Sequence, residues 1–189
     1  MSDVNKVTLG NGNLYLNGVD VGYLKGNVEL TYSRDQVEFK PSNEMGVVKI
    51  FTTGERAELK ATVAELKAAN LKLAMGIYED ISASQSFPAY EGAPDGGSYT
   101  ADNSSASFDV LKFGGKKTLD EMPLRFEHER PNGKDVVVVF YNAIAMPEIT
   151  IPFSEEDVSM YDLTFRALHV TTRSAGDQIG FIAEQVQGS

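Results

Sequence analysis

Apolar positions along this chain fall mostly two residues apart, a spacing that predicts strands rather than helices. In "NLYLNGVDVGYL", Leu14, Leu16, Val19 and Val21 flank Asn17-Gly18, a dipeptide suited to a two-residue type I′ hairpin turn. "GNVELTYS" sends Val28, Leu30 and Tyr32 one way and Glu29, Thr31 and Ser33 the other. "DQVEFKP" and "MGVVKIFTT" continue with β-branched and aromatic residues. "MPLRFEHE" alternates Leu124, Phe126 and His128 against Arg125, Glu127 and Glu129, and "VVVVFYNAI" reads as a strand buried on both faces. Asn132-Gly133 between these two predicts a hairpin. "EITIPF" alternates Ile149, Ile151 and Phe153, and "MYDLTFRALHV" sets Tyr161, Leu163, Phe165 and Ala167 against Asp162, Thr164 and Arg166. A last short strand is expected at about Ile179–Ile182, and no fixed-period repeat is present.

One stretch fits two patterns. "GERAELKATVAELKAANLKLAMG", Gly54 to Gly76, is rich in good helix formers, and Leu59, Val63 and Leu66 keep the i, i+4, i+7 spacing. As one helix, however, it sets Arg56 and Lys60 as like charges at i, i+4. Glu58 and Lys60, two apart, share a face only on a strand. The second pattern is a strand with Ala57, Leu59, Ala61 and Val63 on one face, then a short helix burying Ala68, Leu71 and Met75 and capped by Gly76. Propensity favours the first pattern, and charge placement favours the second.

Composition narrows the function classes. The 189 residues are 42% hydrophobic and 23% charged, which suits a single domain with an ordinary core. From Glu79 to Lys117 the sequence turns to Ser, Gly, Ala, Asp and Pro, a long loop-rich excursion. A net charge of −10 and a pI near 4.7 argue against wrapping nucleic acid, because phosphate binding needs exposed Lys and Arg. They do not argue against a channel that DNA slides through without sticking. The absence of Cys removes disulfides, thiolate catalysis and thiolate metal sites. "MSDVNKVTLGNGN" carries no basic segment leading into an apolar run, so no signal peptide is expected. The longest apolar run, Val136 to Tyr141, is far short of the roughly 20 residues of a membrane helix.

Little here resembles a reaction centre. His128 sits between Glu127 and Glu129, but in a strand those carboxylates point to the opposite face, so a core or rim histidine is the expectation. His169 has no obvious ligand near it in sequence. There is no GxSxG elbow and no P-loop, and "LGNGN" lacks the strand–helix frame of a dinucleotide site. "PDGG" at Pro94–Gly97 reads as a turn, and Asn103-Ser104-Ser105 is a glycosylation sequon in letters only. No catalytic residue, metal ligand or cofactor is assigned.

Three segments together resemble the tail tube proteins (major tail proteins) of tailed bacteriophages. One is "LYLNGVDVGYLKGNVELTYSRDQVEFK", a hairpin with Gly22 and Gly26 leading into a long strand. The second is the Gly54–Gly76 stretch, where Glu65, Asn70 and Leu71 match that family's strand-then-helix. The third is "FSEEDVSMYDLTFRALHV", closing on Ala167. They cover about two fifths of the chain, and the excursion at 79–117 has no counterpart.

The resemblance implies a strand to about Val63 and a short helix at about 65–75. It implies a mostly β chain, a two-sheet β-sandwich or partial barrel flanked by that helix, as one tail-tube-like domain over 1–189. It further implies six-membered rings stacked into a tube around a tape-measure protein. Terminator and tip proteins bound the tube, and DNA passes through without specific binding. Such a protein is assembled in the bacterial cytoplasm and ends in the virion, with no membrane contact.

Strands with one polar and one apolar face suit such a wall. Glu29, Thr31, Glu58 and Thr62 are the candidates for facing the bore, where acidic groups would repel phosphate. The same positions also suit the solvated face of any β-sandwich. Three alternatives stand beside this reading: the tube of a contractile tail or secretion-type injector; a monomeric β-sandwich binding module using the long loop; and, last, an enzyme dependent on His128.

Overall fold

The computed structural model of the chain describes residues 12–64, 68–76, 85–86, 107–108, 117–130, 135–146, 148–152 and 160–185. Glu65, most of the 79–117 excursion (with Pro94–Gly97 and Asn103), the Asn132-Gly133 turn and Phe153 lie outside the described residues. Contacts divide the chain into two compact units, one within Met1–Leu66 and Glu121–Ser189, the other within Lys67–Asp120.

The first unit holds an antiparallel sheet of eight strands that does not close on itself. Its strands are β1 (Gly12–Leu16), β2 (Val19–Asp20), β3 (Glu29–Phe39), β4 (Lys49–Val63), β7 (Met122–Glu129), β8 (Asp135–Ala145), β9 (Tyr161–Ala167) and β10 (Gly180–Glu184). The spatial order is β2-β1-β7-β8-β9-β4-β3. β10 pairs with β8 over residues 136–140, while β9 pairs with β8 over 143–145. The mostly β class is as expected, and a partial barrel describes this single open sheet. The first hairpin forms at Asn17-Gly18, whose φ values of 49° and 77° are the left-handed pair a type I′ turn requires.

The core lies on one face of the sheet. Ala57, Leu59, Ala61 and Val63 of β4 are buried, and so are Tyr161, Leu163, Phe165 and Ala167 of β9. Leu14 and Leu16 of β1, Met122 and Leu124 of β7, and Val138, Phe140, Ala143 and Ala145 of β8 complete it. Each fully buried large aliphatic or aromatic side chain contributes on the order of 1.5–3 kcal/mol of transfer free energy. β8 is less enclosed than its apolar run suggests, because Val136, Val137, Val139 and Tyr141 are only half-buried. The strand expected at "EITIPF" is not formed, as residues 148–152 have no ladder partner. Pro147 and Pro152 bracket that run, and neither has an N–H to donate to a ladder.

The second unit contains the helix α1 (Ala68–Ala74) and a short strand pair, β5 (Gln85–Ser86) with β6 (Ser107–Phe108). The Gly54–Gly76 stretch is therefore strand then helix, as the spacing of its charges indicated. The helix buries Asn70, Leu73 and Ala74 rather than Leu71 and Met75, which are half-buried. Gly76 closes it at φ 66°, donating its N–H to the Leu73 carbonyl while its own carbonyl accepts from the Asp120 N–H.

Candidate functional site

Two surfaces of the first unit stand out, and both are built by β3 and β4. The first is a ribbon. β9 covers the edge of β4 only from Glu58 to Val63, so from Ala57 back to Lys49 β4 has a single partner, β3. β3 itself pairs only with β4. Among the described residues both outer edges of the distal hairpin thus present backbone groups without ladder partners, the usual template for pairing with another chain.

The ribbon is also apolar where it is most exposed. Every residue of β3 is exposed, and Val37, Phe39, Ile50 and Phe51 are each about half exposed. Met45, in the connection between the strands, is fully exposed. A two-stranded ribbon of this kind has little stability alone, and a contiguous exposed apolar patch marks an interaction surface.

A register shift opposite Asp35 and Gln36 inverts the facing of β4, while β3 keeps its alternation. Asp35 pairs with Gly54 and Gln36 with Thr52, leaving Thr53 as the extra residue, its hydroxyl donating to the Asp35 carbonyl at 3.3 Å. Before the shift, Leu30 and Tyr32 stand opposite Leu59 and Ala57 on the core face. Beyond it, Val37 and Phe39 lie on the opposite face, with Phe51 across from Val37. The larger apolar cluster of the arm therefore turns away from its own core.

The second surface is the polar face of β3, β4 and β9. Thr31, Glu58 and Arg166 are in register across the three strands, and so are Glu29, Lys60 and Thr164. Thr62 stands opposite Asp162. The four residues singled out from the sequence, Glu29, Thr31, Glu58 and Thr62, are thus brought onto one continuous face.

Sequence reasoning set Lys60 on the face of Glu58 and Arg166 on that of Asp162, but did not show that the two faces are one. Arg166 reaches Glu58 Oε1 at 2.7 Å through Nη2 and 2.9 Å through Nε. Lys60 lies 3.2 Å from Asp162, and Arg56 lies 3.8 Å from Asp35. The Thr62 hydroxyl donates to Asp162 at 2.6 Å. That hydroxyl, with the Lys60 ammonium, holds the Asp162 carboxyl below the usual carboxylate range. The face carries four carboxylates (Glu29, Asp35, Glu58, Asp162) against three cations (Arg56, Lys60, Arg166), so the chain's net −10 is concentrated elsewhere. It is a mixed-charge surface.

Where the arm leaves the sheet, a cleft of about 230 Å³ opens between the base of β3–β4 and β8–β10, lined by Leu30, Tyr32, Ala57, Val138, Phe140 and Ile182 among others. Beside it the 170–178 loop is fastened to β8. Asp177 accepts from the Tyr141 hydroxyl and from Arg173 Nη2 at 2.8 Å, and the Arg173 guanidinium stacks 3.6 Å above the Tyr141 ring centroid. Tyr141 first, and then Arg173, depress the Asp177 pKa. A depressed carboxylate stabilises the folded loop above its unfolded pKa and loses that contribution as pH falls through the folded value. Amide-exchange protection across 170–178, taken relative to the intrinsic rate at each pH, is expected to fall on acidification below the ordinary Asp range of about 3.9. In Tyr141→Phe the transition should move to higher pH. An unchanged midpoint in that variant would show that the hydroxyl does not hold the loop.

His128 lies on the core side with Leu124 and Phe126, its ring stacked on Phe126 at 6.5 Å, and its Nε2 is buried with no hydrogen-bond partner among the described residues. His169 is exposed. Among the described residues no three His, Asp or Glu side chains gather into a metal-binding group, and no helix is long and apolar enough to cross a membrane.

No family model and no curated protein sequence matches the chain. Solved structures do. The chain is similar to one in the cryo-EM structure of an extracellular contractile injection system, the PVC sheath–tube complex in its extended state. That match has a TM-score of 0.50 at 9% identity and covers 97% of this chain and 95% of the other. A chain of the anti-feeding prophage (AFP) baseplate aligns with a TM-score of 0.46 at 8% identity, over 98% and 97% of the two chains. At such identity the likeness is one of fold.

Proposed function

We propose that this chain is the structural subunit of a phage-tail-type tube, assembling into six-membered rings that stack. The observation that carries this is the arm, the distal part of the β3–β4 hairpin, which exposes Val37, Phe39, Ile50 and Phe51 and is open on both edges. In a free-standing protein such an element is an aggregation hazard, whereas in a repeating assembly it is the joint. The fold shared with a chain from a sheath–tube complex supports the same reading. In this assignment residues 1–189 act as one tube-type subunit without a catalytic step. The polar face with Glu29, Thr31, Glu58 and Thr62 lines the bore. A tape-measure protein, terminator and tip proteins are the partners, and DNA is the passing polymer. The protein assembles in the bacterial cytoplasm and resides in the virion.

Light scattering over a concentration series, with negative-stain images of the same samples, tests the assembly. Rings or tubes are expected, and an invariant monomer with no polymer even when a preformed tail tip is supplied would refute it. The bore assignment is tested separately, because the chain has no native Cys. Thr31→Cys in assembled tubes should react with a small maleimide but resist a 5-kDa polyethylene-glycol maleimide (about 5 kDa being too bulky to enter a narrow bore). Equal reaction with both reagents would place that face outside.

A further inference from the structure

We infer that Glu58 and Asp162 are specificity determinants that keep the polar face of β3, β4 and β9 from binding polyanions. The inference gives chemical meaning to the bore reading and rests on it for its biological sense, but the shielding itself is a property of the single subunit.

The cations on this face are well placed to hold phosphate. Arg56, Lys60 and Arg166 lie on neighbouring strands of one surface, and their side chains keep 53%, 52% and 39% of their exposure. Left alone they would form a basic patch that gains affinity for a phosphodiester chain by releasing its counterions. Each is instead matched by a carboxylate of the same face. Arg166 places two nitrogens on one oxygen of Glu58, Lys60 faces Asp162, and Arg56 faces the more distant Asp35.

Exposed ion pairs of this sort add little to stability, so stability is a weak reason for the pattern. Their effect on the surface potential is larger. A cation already neutralised by a fixed carboxylate displaces no phosphate counterion, and the paired carboxylate repels the incoming phosphate. Asp162 is held in its charged form by a second partner, the Thr62 hydroxyl at 2.6 Å, so the shield does not depend on Lys60 alone. Glu58 is the less exposed member of its pair, at 29% against 39% for Arg166, which fixes it under the guanidinium rather than leaving it free to swing away.

The test is a gain of binding. The full-length double variant Glu58→Gln, Asp162→Asn is titrated with a fluorescein-labelled oligothymidylate of about 20 nucleotides, at concentrations where the protein is dispersed. A control variant of equal net charge, Glu44→Gln, Glu129→Gln, removes two exposed carboxylates away from this face. The shielded-face variant is expected to bind at least tenfold more tightly than the wild-type chain at 50 mM salt. The gain should fall about tenfold by 300 mM, the slope of two freed cations on single-stranded nucleic acid. No gain, or an equal gain in the control, overturns the inference. A gain confined to the face variant supports it, and it does so even if Thr31→Cys proves open to the bulky reagent in tubes. That second result would remove the bore reading and leave the shielding intact.

Discussion

Excising the arm is expected to abolish self-assembly while leaving the subunit folded. Asp35 and Gly54 are register partners, so removing residues 36–53 and joining them through Asn-Gly gives a two-residue hairpin of the favoured type. The excised residues include Val37, Phe39, Met45, Val48, Ile50 and Phe51, all at least 46% exposed, so their loss opens no cavity in the core. Glu58 to Val63 of β4 stay paired with β9, and Ala57 to Lys60 with the base of β3. The thermal midpoint should therefore shift by no more than a few degrees, the scale of about 1 kcal/mol in a domain of this size. The particle mass by light scattering should fall from polymer to monomer at every concentration. A shortened chain that still forms tubes would show that the joint lies elsewhere, on the β2–β1 edge or in the second unit. A chain that no longer folds would show that the ribbon braces its own subunit, contrary to its exposure.

The sequence announced some of these features more clearly than others, for physical reasons. Strand then helix in Gly54–Gly76 was legible because Glu58 and Lys60 are spaced for a strand face, and β4 and α1 fall on either side of the expected break. The register shift in the arm was not legible: its extra residue is Thr53 of β4, and Phe51 keeps the odd parity of Ala57 and Leu59, so alternation alone would have put it on the core face. What alternation does not reveal is exposure, since an apolar strand waiting for another chain reads like one already buried. The "EITIPF" segment was over-read for a related reason: the pattern was right, but flanking prolines withhold ladder donors. On the candidate face, the four polar positions were legible from period two alone. Their pairing with Arg166 and Asp162 was not, because those residues lie about a hundred positions away and meet Glu58 and Thr62 only through the β4–β9 register.

Replacing Phe165 by Ala is expected to have the largest effect on stability. Phe165 is fully buried at the centre of β9, opposite Leu59 of β4 on one side and Ala145 of β8 on the other. β9 is the strand through which β4 and β3 join the rest of the sheet, so a loss there loosens the base of the arm as well as the core. Its cross-strand neighbour Ala145 and the nearby Ala143 and Ala61 are small, and none can extend into the space a phenyl ring leaves. The substitution should cost about 3–5 kcal/mol, the usual range for a buried aromatic whose site cannot collapse. Phe165→Leu, which keeps most of the volume, should cost well under half as much. Denaturant unfolding of the arm-excised chain gives a clean reading, because that background removes polymer formation from the equilibrium. Against a total stability of roughly 5–15 kcal/mol, the Ala variant should unfold at a much lower denaturant midpoint with an unchanged slope. A shift worth less than about 1 kcal/mol would mean that β9 does not pack across the centre of this sheet. It would also undercut both surfaces above, because the β4–β9 register that brings Glu58 to Arg166 also leaves the arm without a neighbour beyond Ala57.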